Sequence, residues 1–149
     1  IDGAGVPQIV VEDTVLALGA LAKHNIERRR ALETPFTVIG ITGSVGKTTT
    51  KDLMKALLAH IGPTIAPVGS FNNEIGLPLT SLKVNADTRF LVAEMGANHV
   101  GEIANLTSLV PPDIAWCSRW AWRIWENSAL RNASPKPNRK SYADWCRAA

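Results

Sequence analysis

The chain has 149 residues, 46% of them hydrophobic and 19% charged, a balance that supports a packed core and excludes a wholly disordered chain. Its net charge of +3 is unevenly spread: residues 1–115 carry 9 Lys/Arg against 11 Asp/Glu, while residues 116–149 carry 7 against 2, so the basic character belongs to the tail. The two cysteines, Cys117 and Cys146, lack CxxC or histidine-rich spacing, which excludes a recognisable metal cluster or disulfide framework.

The sequence opens on Ile1 with no charged-then-apolar leader, which reads as an excerpt and not as a secretion signal. Residues 8–11 (QIVV) predict a short strand. Glu12-Asp13-Thr14 then places capping residues before the periodic apolar positions Val15, Leu16, Leu18, Leu21 and Ala22, which predicts a helix over about residues 14–28. Its apolar run, residues 15–22, falls far short of the roughly 20 residues a membrane helix needs, so no span is expected. The polar stretch 27–34, closed by Pro35, reads as a linker, because the residue before a proline is pushed out of helical geometry. Residues 1–34 are thus expected to precede a new domain that occupies 35–115.

In that domain residues 37–42 (TVIGIT) are rich in β-branched side chains and predict a strand. After Gly43-Ser44-Val45-Gly46 the pattern becomes helical, with Leu53, Met54, Leu57, Leu58 and Ile61 apolar. Ile65 marks a short strand, residues 90–93 (FLVA) a buried one, and Asp113-Ile114-Ala115 the start of another; residues 77–83 and 101–109 have the length of helical crossovers. The expected fold class is α/β, a P-loop-type parallel sheet flanked by helices.

The segment from Gly40 to Thr50 (GITGSVGKTTT) lies where a strand passes into a helix. Glycines let the backbone turn and aim N–H groups inward, and the helix N-terminus adds a positive dipole. Lys47 can reach β- and γ-phosphates, and the Thr48 hydroxyl can hold Mg²⁺, so Gly43, Ser44, Val45, Gly46, Lys47, Thr48 and Thr49 form a candidate ATP-binding loop. The spacing is a variant, since Ile41 stands where the general pattern wants its first glycine. The plain alternative is a glycine-rich turn with a solvated lysine; strand, GKTTT and helix together favour phosphate.

The TGxxGKT-T form resembles the Mur ligase family, which includes the folylpolyglutamate synthases. Residues 71–80 (FNNEIGLPLT) resemble the NNxxGxPxT segment, and residues 93–103 (AEMGANHVGEI) the E-[LM]-G-A-N-H-x-G-E-I signature, of the branch that adds D-alanyl-D-alanine, the MurF type. By themselves Asn72 and Asn73 also suit a turn capping a helix with Pro78 in its first turn. A carboxylate ending a buried strand sits on the ligand-binding edge of an open α/β sheet. The resemblance makes Glu94 a Mg²⁺ ligand beside Thr48 and a catalytic group with Lys47, and it makes Asn72, Asn73, Asn98 and His99 candidate substrate contacts. His99 reads equally as a loop hydrogen-bonding residue, and Glu102 as a helix-capping carboxylate.

The resemblance covers about residues 7–115, with 7–30 similar to the end of the family's N-terminal UDP-substrate domain. It implies a cytoplasmic, monomeric enzyme of cell-wall synthesis. That enzyme transfers the γ-phosphate of ATP to the terminal carboxylate of UDP-N-acetylmuramoyl-tripeptide, and the amine of D-alanyl-D-alanine then attacks the acyl phosphate. Another Mur-type or folylpolyglutamate-type ligase, or a P-loop nucleotide-binding protein that is not a ligase, remains as an alternative.

All five tryptophans and both cysteines come after Ala115. A basic aromatic tail suits a nucleic-acid or membrane surface, but the genetic code offers a reading that fits better. One encoding of the residues from Trp116 to Ala121, with one preceding G, regroups as VVLKVG, a strand-like continuation of Asp113-Ile114-Ala115, and residues 122–128 permit V-A-H-L-G-E-F. These strings, and an AKAK-like run further on, resemble the family's next motifs, whose His and carbamylated Lys serve a second metal. Residues 116–149 are therefore expected to be a frameshifted, poorly ordered tail, with no nucleic-acid partner, and the isolated chain an inactive fragment.

Overall fold

The computed structural model describes residues 5–97 and 101–118. Helix α1, Thr14–Arg30, starts where the capping residues placed it: the Asp13 carboxylate accepts the amide N–H of Val15 at 2.7 Å and of Leu16 at 3.0 Å. It runs two residues past the expected end because Arg29 faces inward. The Arg29 guanidinium donates to the carbonyls of Thr88 (3.0 Å), Thr34 (3.2 Å) and Pro35 (3.0 Å) and lies 4.9 Å from the centroid of the Phe36 ring. The polar stretch before Pro35 is thereby fastened to the helix that precedes it. Residues 8–11, expected as a strand, form none, and Ile9 and Val10 are 91% and 92% exposed. Apolar β-branched residues need a partner ladder and a face to pack on, and here they have neither. No described helix is long and apolar enough to cross a membrane.

Four strands form one sheet among the described residues: β1 Thr37–Thr42, β2 Thr64–Ile65, β3 Phe90–Glu94 and β4 Ile114–Cys117, in the order β2-β3-β1-β4. Every pairing is parallel, with Ile41 opposite both Glu94 and Trp116. The connections carry α2 Lys47–Ala59, α3 Gly76–Ser81 and α4 Glu102–Leu109. Alternation along the strands divides the core in two. Val38, Leu91, Ala93 and Met95 join Ile26, Leu77, Ile103 and Leu106 on the side of α1, α3 and α4, while Ile39, Ile41 and Val92 meet Met54 and Leu58 of α2 on the other. Glu94 has the parity of Val92, so it faces α2. Leu53 and Leu57, part of the apolar period read from the sequence, lie on the outer side of α2 and are exposed, as is Ile61 just past its end.

Helix α1 packs on this body through Ala22 and Ile26, and its Asn25 side chain donates to the carbonyls of Ser81 (3.0 Å) and Val84 (2.9 Å). Strand β4 takes in Trp116 and Cys117, two residues beyond the change of composition at Ala115. A parallel ladder is built from backbone groups, so the register set by Asp113, whose amide donates to the Val38 carbonyl at 2.8 Å, carries on whatever the side chains beyond it are. Trp116 is half-exposed. Residues 119–149, the rest of the expected out-of-frame tail, lie outside the described residues.

Candidate functional site

The site forms where the central strands end. β1 stops at Thr42, the chain turns through residues 43–46, and α2 begins at Lys47, with the Met95 amide donating to the Ile41 carbonyl at 2.8 Å to hold the neighbouring β3 end level. Gly46 is the N-cap of α2 with φ +84°, a left-handed conformation that glycine adopts without strain, and it brings no capping side chain. The Thr50 amide reaches back to the Gly46 carbonyl at 2.9 Å, so the helical ladder begins there, and the amides of residues 46–49 have no intrahelical acceptor. Unpaired amides at a helix start, with the helix dipole behind them, are what an anion site requires. The Lys47 ammonium lies across the loop, donating to the Gly43 carbonyl at 2.7 Å. From the end of β4, the Ser118 hydroxyl lies 3.0 Å from the Thr42 carbonyl and 2.7 Å from that of Val45, bracing the loop's outer side.

Facing the start of α2 is Glu94, at the C-terminal end of β3 and 1% exposed. Its Oε1 accepts the Thr48 hydroxyl at 3.3 Å and the Asn72 side-chain amide at 2.9 Å. Its Oε2 is buried with no hydrogen-bond partner. A desolvated carboxylate oxygen left unpaired is costly, and its place beside the Thr48 hydroxyl fits a bound cation. The donor set suits Mg²⁺, a hard cation that takes one or two carboxylate or hydroxyl oxygens and fills its remaining positions with water and substrate phosphate.

Asn72 is held for its task. The Gly96 amide donates to the Asn72 carbonyl at 2.8 Å, and a Cβ on Gly96 would stand 2.7 Å from the Asn72 carboxamide carbon. A side chain at residue 96 would push the Asn72 carboxamide from its place on Glu94. Asn73 does what its capping reading proposed: its Oδ1 accepts the Gly76 amide at 2.9 Å at the head of α3, with Pro78 in the first turn. Both asparagines also line a polar cleft of about 260 Å³ beside the loop, together with Lys47, Glu74, Gly96 and Glu102. Glu102 is the first residue of α4, in keeping with a helix-end carboxylate. Ser44, Val45 and Thr49 lie in the loop and first turn, with Val45 exposed. Asn98 and His99 lie outside the described residues.

Two participants escaped the sequence reading. Ser70 Oγ lies 3.4 Å from Thr48 Oγ1, and nothing in the pattern around it signals that contact. Lys51 is 1% exposed and buried beside the site. It carried a legible sign: it stands three residues before Met54 and seven before Leu58, on the inward stripe of α2, where a lysine is out of place.

A parallel sheet with helices on both faces, a strand running through a glycine turn into a helix, and a lysine and a hydroxyl at that helix's start define a P-loop-type α/β domain. The Mur ligase middle domain matches residues 41–118 of the 149, and the chain belongs to the Mur ligase family. It is 41% identical over 109 residues to the UDP-N-acetylmuramoyl-tripeptide--D-alanyl-D-alanine ligase of Escherichia coli (strain K12), a match that takes in 73% of this chain and 23% of that protein. The ligase of the same name from Mycobacterium tuberculosis (strain ATCC 25618 / H37Rv) is 56% identical over 79 residues, 53% of this chain and 16% of its own. Among solved structures, MurF from Acinetobacter baumannii superposes with a TM-score of 0.70 at 39% identity over 78% of this chain and 25% of that one. MurF ligase from Thermotoga maritima, in complex with ADP, gives a TM-score of 0.61 at 38% identity over 70% and 23%. The chain thus spans about a quarter or less of the length of these relatives.

Proposed function

We propose that this chain is the ATP-binding part of a cytoplasmic ligase that joins D-alanyl-D-alanine to UDP-N-acetylmuramoyl-tripeptide through an acyl phosphate. The observation that carries its chemistry is the meeting of Thr48 and Glu94, 46 residues apart in sequence, at 3.3 Å beside the phosphate loop, with one carboxylate oxygen buried and unpaired. Its substrates are supported by kinship with ligases of that name.

Thr48 and Glu94 would hold Mg²⁺, which when bound neutralises charge on the phosphate oxygens. The amides of residues 46–49 bind the phosphates, and Lys47, swinging from the Gly43 carbonyl, offsets the charge that gathers as the bond to the γ-phosphorus lengthens. Asn72 keeps Oε1 of Glu94 turned toward Thr48. A carboxylate oxygen of the tripeptide attacks the γ-phosphorus and ADP departs; the dipeptide amine then attacks the acyl carbon and inorganic phosphate leaves, giving the amide. Both nucleophiles come from the substrates, so the protein's contribution is positioning and charge stabilisation.

The isolated chain is proposed not to complete this reaction, because it matches only about a quarter of its relatives and in-line alignment of three substrates demands more surface than that. Helix α1 packs into the core of the sheet domain, so only residues 1–13 are proposed to close a preceding UDP-substrate domain, and not 1–34 as the sequence reading expected; residues 116–149 are proposed to be read out of frame. Sequencing the coding DNA around Ala115 tests the last point: a shifted open frame continuing into a further domain supports it, and an absence of one refutes it. The function is tested by phosphate release in the frame-restored, full-length enzyme. Release should require both peptide substrates and be lost in Lys47→Ala and Glu94→Ala; a fully active Lys47→Ala enzyme refutes the site, and amide formation by the 149-residue chain refutes the fragment reading.

A further inference from the structure

Lys51 is the largest fully buried side chain of the described residues, one helical turn beyond Lys47 on α2. Its ammonium has three protons and three acceptors in reach: the Gly69 carbonyl at 2.9 Å, the Pro67 carbonyl at 3.1 Å and the Asp52 carboxylate at 2.9 Å. Asp52 is largely exposed and can find water, but the two carbonyls belong to one short segment on the C-terminal side of β2. Burying an ammonium is expensive, and an apolar side chain of the same volume usually serves stability as well or better. The position therefore calls for a reason other than packing.

Just beyond Gly69 lie the contacts that supply one. Ser70 touches the Thr48 hydroxyl, Asn72 donates to Glu94, and the intervening residues 68–71 are exposed and gain little from burial. Lys51 thus ties to α2 the base of the loop that carries contacts to both proposed Mg²⁺ ligands. We propose that Lys51 is a positioning residue for the metal side of the nucleotide site, acting through residues 67–72 on Thr48 and Glu94. This rests on the reading of Thr48 and Glu94 as the Mg²⁺ ligands.

The test uses the 149-residue chain, with Lys51→Met to remove every donor at similar volume, Lys51→Arg to retain donors and charge, and Asp52→Asn to remove the charge partner alone. Two quantities are measured: amide hydrogen exchange over residues 66–72, and ADP affinity by calorimetry with Mg²⁺ and with EDTA. Lys51→Met should speed exchange in this segment and weaken ADP binding in Mg²⁺ by roughly tenfold, about the size of one lost charge-assisted hydrogen bond, while leaving affinity in EDTA unchanged. Lys51→Arg should recover part of the loss, and Asp52→Asn should stay within about twofold of the parent chain, since the Asp52 side is largely exposed, its amide oxygen can still accept, and Lys51 keeps both carbonyls. Equal losses in Mg²⁺ and EDTA would reduce Lys51 to a structural part, and unchanged exchange in a folded Lys51→Met chain would overturn its hold on the loop. Should Lys51→Met fail to fold, the Mg²⁺-to-EDTA difference in Lys51→Arg decides: a partial loss confined to Mg²⁺ supports the role, and an equal loss in both overturns it. If the parent chain itself binds no ADP in Mg²⁺ or EDTA, the nucleotide-site reading fails, an outcome distinct from failure of Lys51 alone.

Discussion

Replacing Glu94 by Gln separates what the site does for stability from what it does for ligands. The carboxylate is 1% exposed; Oε1 holds the Thr48 hydroxyl and the Asn72 amide, and Oε2 has no partner. An unsatisfied buried polar atom costs about 1–3 kcal/mol, more when charged. Glutamine keeps a carbonyl oxygen for both donors and sets a neutral amide where the lone oxygen stood, still unpaired but cheaper to bury. The ligand-free variant should therefore gain about 1 kcal/mol, which raises the melting midpoint of a domain of this size by about 4 °C. With magnesium and ADP the order inverts. An amide nitrogen cannot ligate the cation, whereas the parent chain at a ligand concentration of about 100 Kd gains about 2.7 kcal/mol. Thermal melts of both proteins in EDTA and in Mg²⁺ with ADP decide the matter. A Glu94→Gln chain that melts lower in EDTA and gains as much from Mg²⁺ and ADP as the parent would show that Glu94 serves the fold and not a metal.

Gly96→Ala sets a Cβ 2.7 Å from the Asn72 carboxamide carbon; stability should fall by about 1–2 kcal/mol, and Mg²⁺-dependent ADP affinity by roughly tenfold, measured by urea denaturation and calorimetry. Lys47→Ala removes a side chain whose hydrogen bond is to the Gly43 carbonyl, so unfolding stability should move by no more than about 0.5 kcal/mol while ADP affinity collapses in the same calorimetric assay. Ile26→Ala empties a 1% exposed position where α1 meets the sheet and should cost about 3 kcal/mol in urea unfolding with an unchanged slope; a loss below about 1 kcal/mol would mean that α1 is not part of the cooperative body.

The sequence by itself determined the α/β class, the strand–loop–helix at residues 37–59, the strand at residue 90 and the helix from Thr14, because each rests on a local cause: β-branched runs, a glycine turn, a capping aspartate and a repeating apolar period. It also singled out Lys47 and Thr48, since phosphate chemistry fixes which residue types open a helix after a glycine loop, and Glu94 through resemblance to the family's signature at residues 93–103. Only the tertiary structure decided which neighbours those residues meet. That Asn72 grips Glu94, that Gly96 makes room for it, and that Ser70 reaches Thr48 depend on segments about 20 residues or more apart in sequence brought together by the order β2-β3-β1-β4. The same holds for failures of local reading. Residues 8–11 have strand composition but no ladder, Leu53 and Leu57 have apolar character but no cover, and Arg29 and Lys51, polar in composition, are buried because backbone carbonyls from distant turns converge on them. Local propensity chooses the element; what an element's side chains face is fixed by which other chain segments the sheet order lays beside it.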